Sequence, residues 1–181
     1  MSSAIGSVRN VKIFVLYLME NINYPLDFVT LNDIVMQTDY VMYLDFAEAF
    51  CEMLDGELLR KLEVDGDELY VITEKGRCVA RELKSDLLPS ILDRSLSAAL
   101  RYLNFKKRGI VAKCHIEPTD NGKYQVTCSF TEQGICIFSQ TLTVDTMNRA
   151  ERMKNNFYER PEAIYRGVVA LMAGNVNYLF D

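Results

Sequence analysis

The sequence predicts an α+β protein with a mainly helical amino-terminal part and a carboxy-terminal part built around a small sheet. Three observations support this fold class. Apolar residues recur at helical spacing through most of the first half of the chain. Two short strand-like runs flank an Asp-Gly pair at 65–66, which is a strong signal for a β-hairpin. Three further strand-like runs, separated by turn sequences, follow Gly109.

The first two helices are expected before residue 40. The run "NVKIFVLYLMENI" predicts one helix, which ends before Pro25 because proline cannot continue it. A short second helix follows in "TLNDIVMQTDY", with Thr30 as the predicted N-cap and Asp33 three residues later. The apolar residues that share one face of the first helix are Val11, Phe14, Val15, Leu18 and Ile22.

A third helix is expected in "YVMYLDFAEAFCEMLDGELLRKL", between Tyr40 and Gly56. Its predicted apolar face consists of Leu44, Ala47, Cys51 and Leu54, widened by Phe46, Phe50 and Met53. The runs "LLRKLEV" and "ELYVIT" then predict a hairpin, and "TEKGRCVARELKSDLL" predicts a fourth helix. Three helices, a two-stranded wing and a further helix form the order of a winged helix-turn-helix domain, which we place at residues 1–88.

A long connecting helix is predicted at residues 89–108, because Pro89 suits a first helical position and no other breaker occurs before Gly109. Its apolar positions cover roughly 220° of arc, whereas a one-sided surface helix needs about 100°. The helix is therefore expected to contact its own winged domain and, in addition, either the carboxy-terminal region or a second subunit. The candidate dimer-interface residues are Ile91, Ala98, Tyr102, Leu103 and Phe105.

Residues 109–181 are predicted to form an α+β carboxy-terminal domain with a three-stranded antiparallel meander covered by helices. The middle strand places Tyr124, Val126, Cys128 and Phe130 on one face and polar residues on the other. The covering helices are expected in "DTMNRAERMKNNFY" and in "PEAIYRGVVALMAG", which begins at Pro161 and ends at Gly174.

The run "LLRKLEVDGDELYVITEKGRCVAREL" resembles the wing and following helix of many bacterial winged-helix regulators. The order of the whole chain, including "YVMYLDFAEAF" and "RPEAIYRGVVALMAG", resembles an uncharacterised bacterial family of short winged-helix proteins with a small α+β carboxy-terminal domain. This resemblance implies a winged-helix fold and a regulatory role, and it supplies no established activity.

The charge of the predicted third helix conflicts with a DNA-binding role. In a winged-helix domain this helix enters the major groove, where Lys and Arg normally neutralise phosphate. Here Asp45, Glu48, Glu52 and Asp55 share one stripe, and the hairpin tip adds Asp65, Asp67 and Glu68. Residues 1–88 contain 8 Lys+Arg and 16 Asp+Glu, a net charge of −8, whereas residues 89–181 contain 12 and 9, a net charge of +3. The acidic stripe is interpreted as a solvated surface, or as a docking surface for a basic protein or for a basic patch of the other domain. A third interpretation is DNA recognition in which cations elsewhere supply the phosphate contacts.

Candidate DNA-binding residues lie around this acidic region. Arg60 and Lys61 begin the wing, and Tyr40 and Tyr43 precede or begin the third helix, where they can stack on a base or pack against neighbouring helices. The remaining candidate cations lie on the helix after the wing and are Lys75, Arg77, Arg81 and Lys84. Their helical spacing is also typical of an ordinary exposed surface.

Nothing in the sequence favours an enzyme, a metal site or a cofactor. His115, the only histidine, neighbours Cys114 on a strand, so the two side chains point to opposite faces. The five cysteines lack C-x-x-C spacing and are interpreted as reduced residues that mostly lie in the core. No apolar run reaches the length of a membrane span and no signal peptide is recognised, so we expect a cytoplasmic protein with no membrane partner.

Two functions remain open from the sequence. The first is a non-enzymatic, homodimeric winged-helix transcription regulator that binds double-stranded DNA weakly or only in a particular state. The alternative is a protein interaction or scaffold module that has the winged-helix shape and uses the acidic stripe to dock a basic protein.

Overall fold

Seven α-helices and two antiparallel sheets make up the part of the chain that the structure, a computed structural model, describes, residues 4–176. The α+β class predicted from the sequence is thus confirmed. The helices are α1 (Val8–Ile22), α2 (Phe28–Met36), α3 (Tyr43–Asp55), α4 (Glu74–Leu83), α5 (Pro89–Lys107), α6 (Met147–Glu159) and α7 (Pro161–Met172), and the strands are β1 (Leu59–Val64), β2 (Asp67–Ile72), β3 (Ile110–Pro118), β4 (Tyr124–Glu132) and β5 (Ile135–Val144).

The chain divides into two compact units, Met1–Tyr102 and Leu103–Asp181. The division falls inside α5, whereas the sequence suggested boundaries at either end of this helix. The reason lies in the burial pattern of α5. Leu92 and Ala99 are buried within the first unit, and Phe105 belongs to the core of the second. The amino-terminal part of α5 therefore contributes apolar side chains to the first unit, and its carboxy-terminal part contributes to the core of the second.

Helix α1 is the centre of the first unit. The predicted apolar face is buried except at Ile22, which is half-buried. Three further apolar residues of α1 are also buried, namely Ile13, Leu16 and Met19. A helix whose apolar residues surround it on most sides is a core helix, and both α3 and α4 pack against it.

Helix α2 begins three residues earlier than predicted. The N-cap is Asp27, whose carboxylate accepts a hydrogen bond from the backbone N–H of Thr30 at 2.8 Å. Thr30 itself is buried. The prediction of Thr30 as the cap is therefore wrong, because Asp27 offers the stronger acceptor and lies three residues before a free helical N–H.

Strands β1 and β2 form the predicted hairpin, with Val64 opposite Asp67. Asp65 and Gly66 in the turn have positive φ angles of 52° and 88°, the requirement that makes Asp-Gly a preferred turn pair. The hairpin is also joined to the segment between α1 and α2. Leu26 and Tyr70 exchange two backbone hydrogen bonds of 3.1 and 2.8 Å, which fixes the hairpin beside the helices.

Gly76 allows α4 to approach the hairpin closely. A Cβ atom at this position would lie 2.3 Å from the backbone oxygen of Leu58. The N-cap of α4 is Thr73, whose hydroxyl accepts from the N–H of Gly76 at 3.0 Å and donates to the backbone oxygen of Glu57 at 2.8 Å. The Thr-x-x-Gly spacing of "TEKG" thus fixes both the cap and the contact.

The second unit contains the predicted meander, with strand order β3-β4-β5. Val126 and Phe130 of β4 are buried, and Phe130 stacks on Phe157 of α6 with ring centroids 4.5 Å apart. Helix α7 begins at Pro161, as expected, and Gly174 follows it with a φ of 82°. Its apolar side chains are only partly covered, and Met172 is 83% exposed.

Among residues 4–176, no helix is both long enough and apolar enough to cross a membrane.

Candidate functional site

The exposed surface of α3 differs from the one that periodicity predicted. The buried residues of α3 are Phe46, Ala49, Phe50 and Met53. Phe50 packs edge-on against Phe28 and Tyr70 with ring centroids 4.9 and 4.8 Å apart. The predicted main apolar face was therefore wrong, because the residues thought to widen the face are the ones that meet α2 and the hairpin.

An apolar stripe on α3 is consequently left on the surface. Leu44 is 74% exposed and Tyr43 is 54% exposed, while Cys51 is also exposed. Ala47 and Leu54, which continue the same stripe, are half-buried. A run of apolar groups along one side of a helix is typical of a surface that contacts another molecule.

The acidic stripe lies beside this apolar stripe. Glu48, Glu52 and Asp55 are exposed and Asp45 is half-buried. Lys12 of α1 donates to Glu52 at 2.6 Å, so this carboxylate is partly neutralised. We call the two stripes together the α3 outer face, which consists of Tyr43, Leu44, Asp45, Ala47, Glu48, Cys51, Glu52, Leu54 and Asp55.

The hairpin extends the negative charge. Asp65 and Asp67 are exposed at its tip, whereas Glu68 accepts hydrogen bonds from Lys61 and Tyr70. The hydrogen bond from Lys61 and that from Tyr70 lower the pKa of Glu68. The same hydrogen bond and burial raise the pKa of Tyr70 to about 12. Lys61, a candidate phosphate contact, is therefore already engaged by a carboxylate of the neighbouring strand.

The candidate cations of α4 are also engaged within the chain. Arg81 donates twice to Glu20 of α1 at 2.9 and 2.7 Å, and Arg77 forms an ion pair with the same carboxylate at 3.3 Å. Arg77 also donates to the side chain of Asn23 at 2.7 Å. Lys75 donates to the backbone oxygen of Gly56 at 2.8 Å, at the end of α3. These contacts attach α4 to its neighbours and reduce its free positive charge.

Glu20 is the functional residue that sequence reasoning missed. It is the single acidic residue of α1 and its side chain is only 16% exposed. A lone carboxylate on an otherwise apolar core helix was the available signal, because such a group needs cationic partners from elsewhere in the fold.

Three candidate cations form no ion pair within the described range 4–176, namely Arg60, Lys75 and Lys84, and of these Lys75 is engaged by the backbone oxygen of Gly56. Arg60 is exposed on β1, and Lys84 begins a short 3₁₀ turn after α4. Tyr40 is half-buried, and its backbone oxygen accepts from the N–H of Ile5 at 3.0 Å. The structure thus does not bring the predicted DNA-contacting side chains together into one unpaired basic patch.

The candidate dimer residues of α5 have mixed surroundings. Tyr102 is buried and donates to Asp33 at 2.6 Å, and burial and this hydrogen bond raise its pKa. Phe105 is buried against Phe130 with ring centroids 5.9 Å apart. Ile91, Ala98 and Leu103 are half-buried. Tyr102 and Phe105 therefore stabilise the chain itself, and homodimer formation remains a prediction.

The cysteines are more exposed than predicted. Cys51, Cys78 and Cys136 lie at the surface, so their assignment to the core was wrong. Cys114 is buried and Cys128 half-buried, and their sulfur atoms are 3.2 Å apart across β3 and β4. His115 is exposed. Among residues 4–176, no group of three or more His, Cys, Asp or Glu side chains is arranged to hold a metal ion.

Comparison with known proteins gives one match. The sequence model of a family described as a domain of unknown function (DUF4364) matches residues 11–172, from the first turn of α1 to the last residue of α7. No curated protein and no solved structure matches the chain. The part of the predicted resemblance that concerns an uncharacterised domain family is confirmed. The chain belongs to the DUF4364 family.

Proposed function

We propose that this chain is a non-enzymatic interaction module on a winged-helix frame, and that the α3 outer face binds a protein partner carrying apolar side chains beside lysine or arginine. The observation that carries the proposal is the exposure of Leu44, at 74%, directly beside the carboxylates of the same helix.

The winged-helix frame is supported by element order and by one backbone contact. Helices α1, α2 and α3 precede the hairpin and α4 follows it. The hydrogen bonds between Leu26 and Tyr70 attach the hairpin to the chain between α1 and α2. The hairpin is thereby held beside the helices as a wing, with α3 as the helix before it.

The chemistry of the α3 outer face favours protein over nucleic acid. Phosphate contact requires Lys, Arg or N–H donors, whereas this surface presents carboxylates and hydrocarbon. Burying a leucine side chain stabilises a complex by about 1.5 to 3 kcal/mol before ordering costs are subtracted. The carboxylates would fix the orientation of the bound partner and favour a basic partner over others, because charge complementarity contributes more to specificity than to affinity.

An amphipathic helix with a basic border is the partner segment that fits this surface. Its apolar side chains would contact Leu44, Ala47 and Cys51, and its lysines or arginines would approach Glu48 and Asp55. Helix recognition of this kind depends on anchors spaced along one face of the bound helix.

Photo-crosslinking from defined positions tests the proposal. A photoreactive amino acid replaces Leu44 in cells, and a matched chain carries it at Val29, which is also well exposed but lies on α2. We expect one protein product from position 44 that is absent from position 29. The yield of this crosslinked product should fall several-fold when Glu48→Gln and Asp55→Asn are combined. The association of the purified protein with its partner should weaken as the salt concentration rises. Identical products from both positions, or insensitivity to the carboxylates, would overturn the proposal.

DNA binding is the second candidate, favoured by the exposure of Arg60 and Lys84 on the frame described above. We expect random duplex DNA at physiological salt to bind with a dissociation constant at or weaker than about 10⁻⁴ to 10⁻⁶ M, because the α3 outer face opposes phosphate. Fluorescence anisotropy of the protein and of Arg60→Glu with Lys84→Glu measures this. Tight binding that the double variant abolishes would make DNA the partner instead.

A further inference from the structure

The second unit contains an open apolar pocket between the covered face of its sheet and its two helices. The pocket has a volume of about 250 Å³ and lies between β4, β5, α6 and α7. Phe138 and Leu142 of β5 line one side, and Phe157 of α6 and Val168 of α7 line the other.

The burial pattern of this region is that of a core that the side chains of residues 4–176 do not fill. Leu142 lies opposite Val126 in the sheet register and therefore belongs to the covered face. Val126 is buried, yet Leu142 is 43% exposed. Ile164 and Val168 of α7, which line the same pocket, are only half-buried. Apolar surface left open in this way loses both the hydrophobic effect and packing contacts.

The lining is suited to a flat aromatic group. Two rings, Phe138 and Phe157, and two sulfur atoms, from Cys128 and Met153, surround the space. Sulfur contacts the edges of aromatic rings favourably, and methionine adapts its shape to a ligand. An apolar cavity of about 150 Å³ accommodates benzene. The larger volume here has room for one ring with a short substituent.

Two polar residues, one on each side, also line the pocket. Gln140 of β5 and Asn156 of α6 both line it, and both residues are exposed to solvent. Each amide both donates and accepts hydrogen bonds. A mainly apolar pocket with a few polar groups that fix orientation is the usual form of a small-molecule site.

We propose that this pocket binds a small single-ring aromatic compound whose amide or hydroxyl substituent bonds to Gln140 and Asn156. The inference does not depend on the α3 outer face, which lies in the other unit. A ligand here would complete the core of the second unit and would stabilise the folded state by RT ln(1 + c/Kd), which grows with the free ligand concentration c.

The test uses the full chain, with ¹³C-labelled methionine methyl groups observed by NMR. Benzamide is the probe, toluene removes its polar substituent, and cyclohexanecarboxamide removes its aromatic ring. We expect benzamide to shift the Met153 resonance with a dissociation constant of about 1 mM, a reasonable affinity for a ligand of this size. Both analogues should bind several-fold more weakly.

Two neighbouring residues supply matched variants. Val168 lines the pocket and Val169 does not, although both lie on α7. Val168→Phe should fill the space and abolish the benzamide-induced shift, whereas Val169→Phe should preserve it. Gln140→Leu should reduce the preference for benzamide over toluene, while leaving the fold intact because Gln140 is exposed.

Three outcomes would overturn the proposal. The first is a Met153 resonance unaffected by all three compounds at ten times the expected dissociation constant. The second is a shift that survives Val168→Phe. The third is a dimer in light scattering that Val168→Phe dissociates, because the pocket would then be part of a contact between copies of this chain.

Discussion

Within residues 4–176, the two units differ in how completely their side chains fill their cores. In the first unit, Phe14, Leu16, Leu31 and Phe46 are all fully buried around α1 and α3. In the second, Phe130 is fully buried, but most apolar side chains of α7 remain half-covered or exposed. In the first unit the exposed apolar side chains lie on the outer surface of α3, away from the core. In the second unit the exposed apolar side chains lie at an opening into the core. An external partner therefore suits the first unit, and a small ligand suits the second.

The largest expected effect comes from removing a filled core position in the first unit. Phe46→Ala should destabilise the protein by about 3 to 5 kcal/mol, because it removes a fully buried ring and leaves a cavity. Leu142→Ala in the second unit should cost well below that range, since its side chain is 43% exposed. Urea denaturation of both variants measures the difference. Equal losses would show that the second core is as complete as the first.

The next effect concerns the ion pairs that attach α4 to α1. Glu20→Gln should destabilise the first unit by about 1 kcal/mol or more, because it weakens the contact with Arg77, whose side chain is only 22% exposed. Glu82→Gln is the matched control, since Glu82 lies on exposed surface of α4. Thermal melts of both variants test this. DNA binding, measured by fluorescence anisotropy, should also become tighter, because Glu20→Gln releases Arg77 and Arg81 to contact phosphate.

Most of the fold followed from local signals in the sequence. Asp65 and Gly66 specify the hairpin turn, and Pro161 and Gly174 bound α7. These features depend on backbone conformations that few residues adopt, so they can be recognised without knowledge of the rest of the chain.

The orientation of α3 could not be derived in the same way. Its apolar residues occupy two adjacent arcs, and the packing of α3 against α1 and against the rings of Phe28 and Tyr70 decides that Phe46 and Phe50 face inward. The pairing of Glu20 with Arg77 and Arg81 joins residues more than fifty positions apart. Contacts of that range depend on tertiary packing, which periodicity does not reveal.

A pH-dependent effect on stability is expected in the second unit. Burial, followed by the hydrogen bond with Cys114, raises the pKa of the Cys128 thiol from 9.0 to about 12. The folded protein therefore keeps this proton between pH 9 and 12, while the unfolded chain releases it. The contribution of this thiol to stability should be constant below about pH 9 and should be lost as pH rises through this window. Urea denaturation from pH 8 to 10.5, compared with Cys128→Ala, measures the contribution.

Alkylation of the native protein checks the same environment independently. Iodoacetamide at pH 8 should modify Cys51, Cys78 and Cys136 readily, because they are exposed. Cys114 should react only after unfolding because it is buried, and Cys128 should do so because its raised pKa keeps it from forming the reactive thiolate. Rapid native modification of Cys128 would contradict the raised pKa.

The smallest effect on stability is expected on the α3 outer face, and it separates a docking surface from a structural one. Glu48 and Asp55 are exposed, so Glu48→Gln with Asp55→Asn should change the free energy of unfolding by less than about 0.5 kcal/mol, through relief of repulsion along the helix. Glu52 is left unchanged because breaking its ion pair with Lys12, at 2.6 Å, would itself change the free energy of unfolding. A carboxylate that contributes little to folding but is needed for association acts on a partner. The double variant should therefore match the parent in thermal melts and lose the product crosslinked from position 44. A large loss of stability would instead make these carboxylates part of the fold.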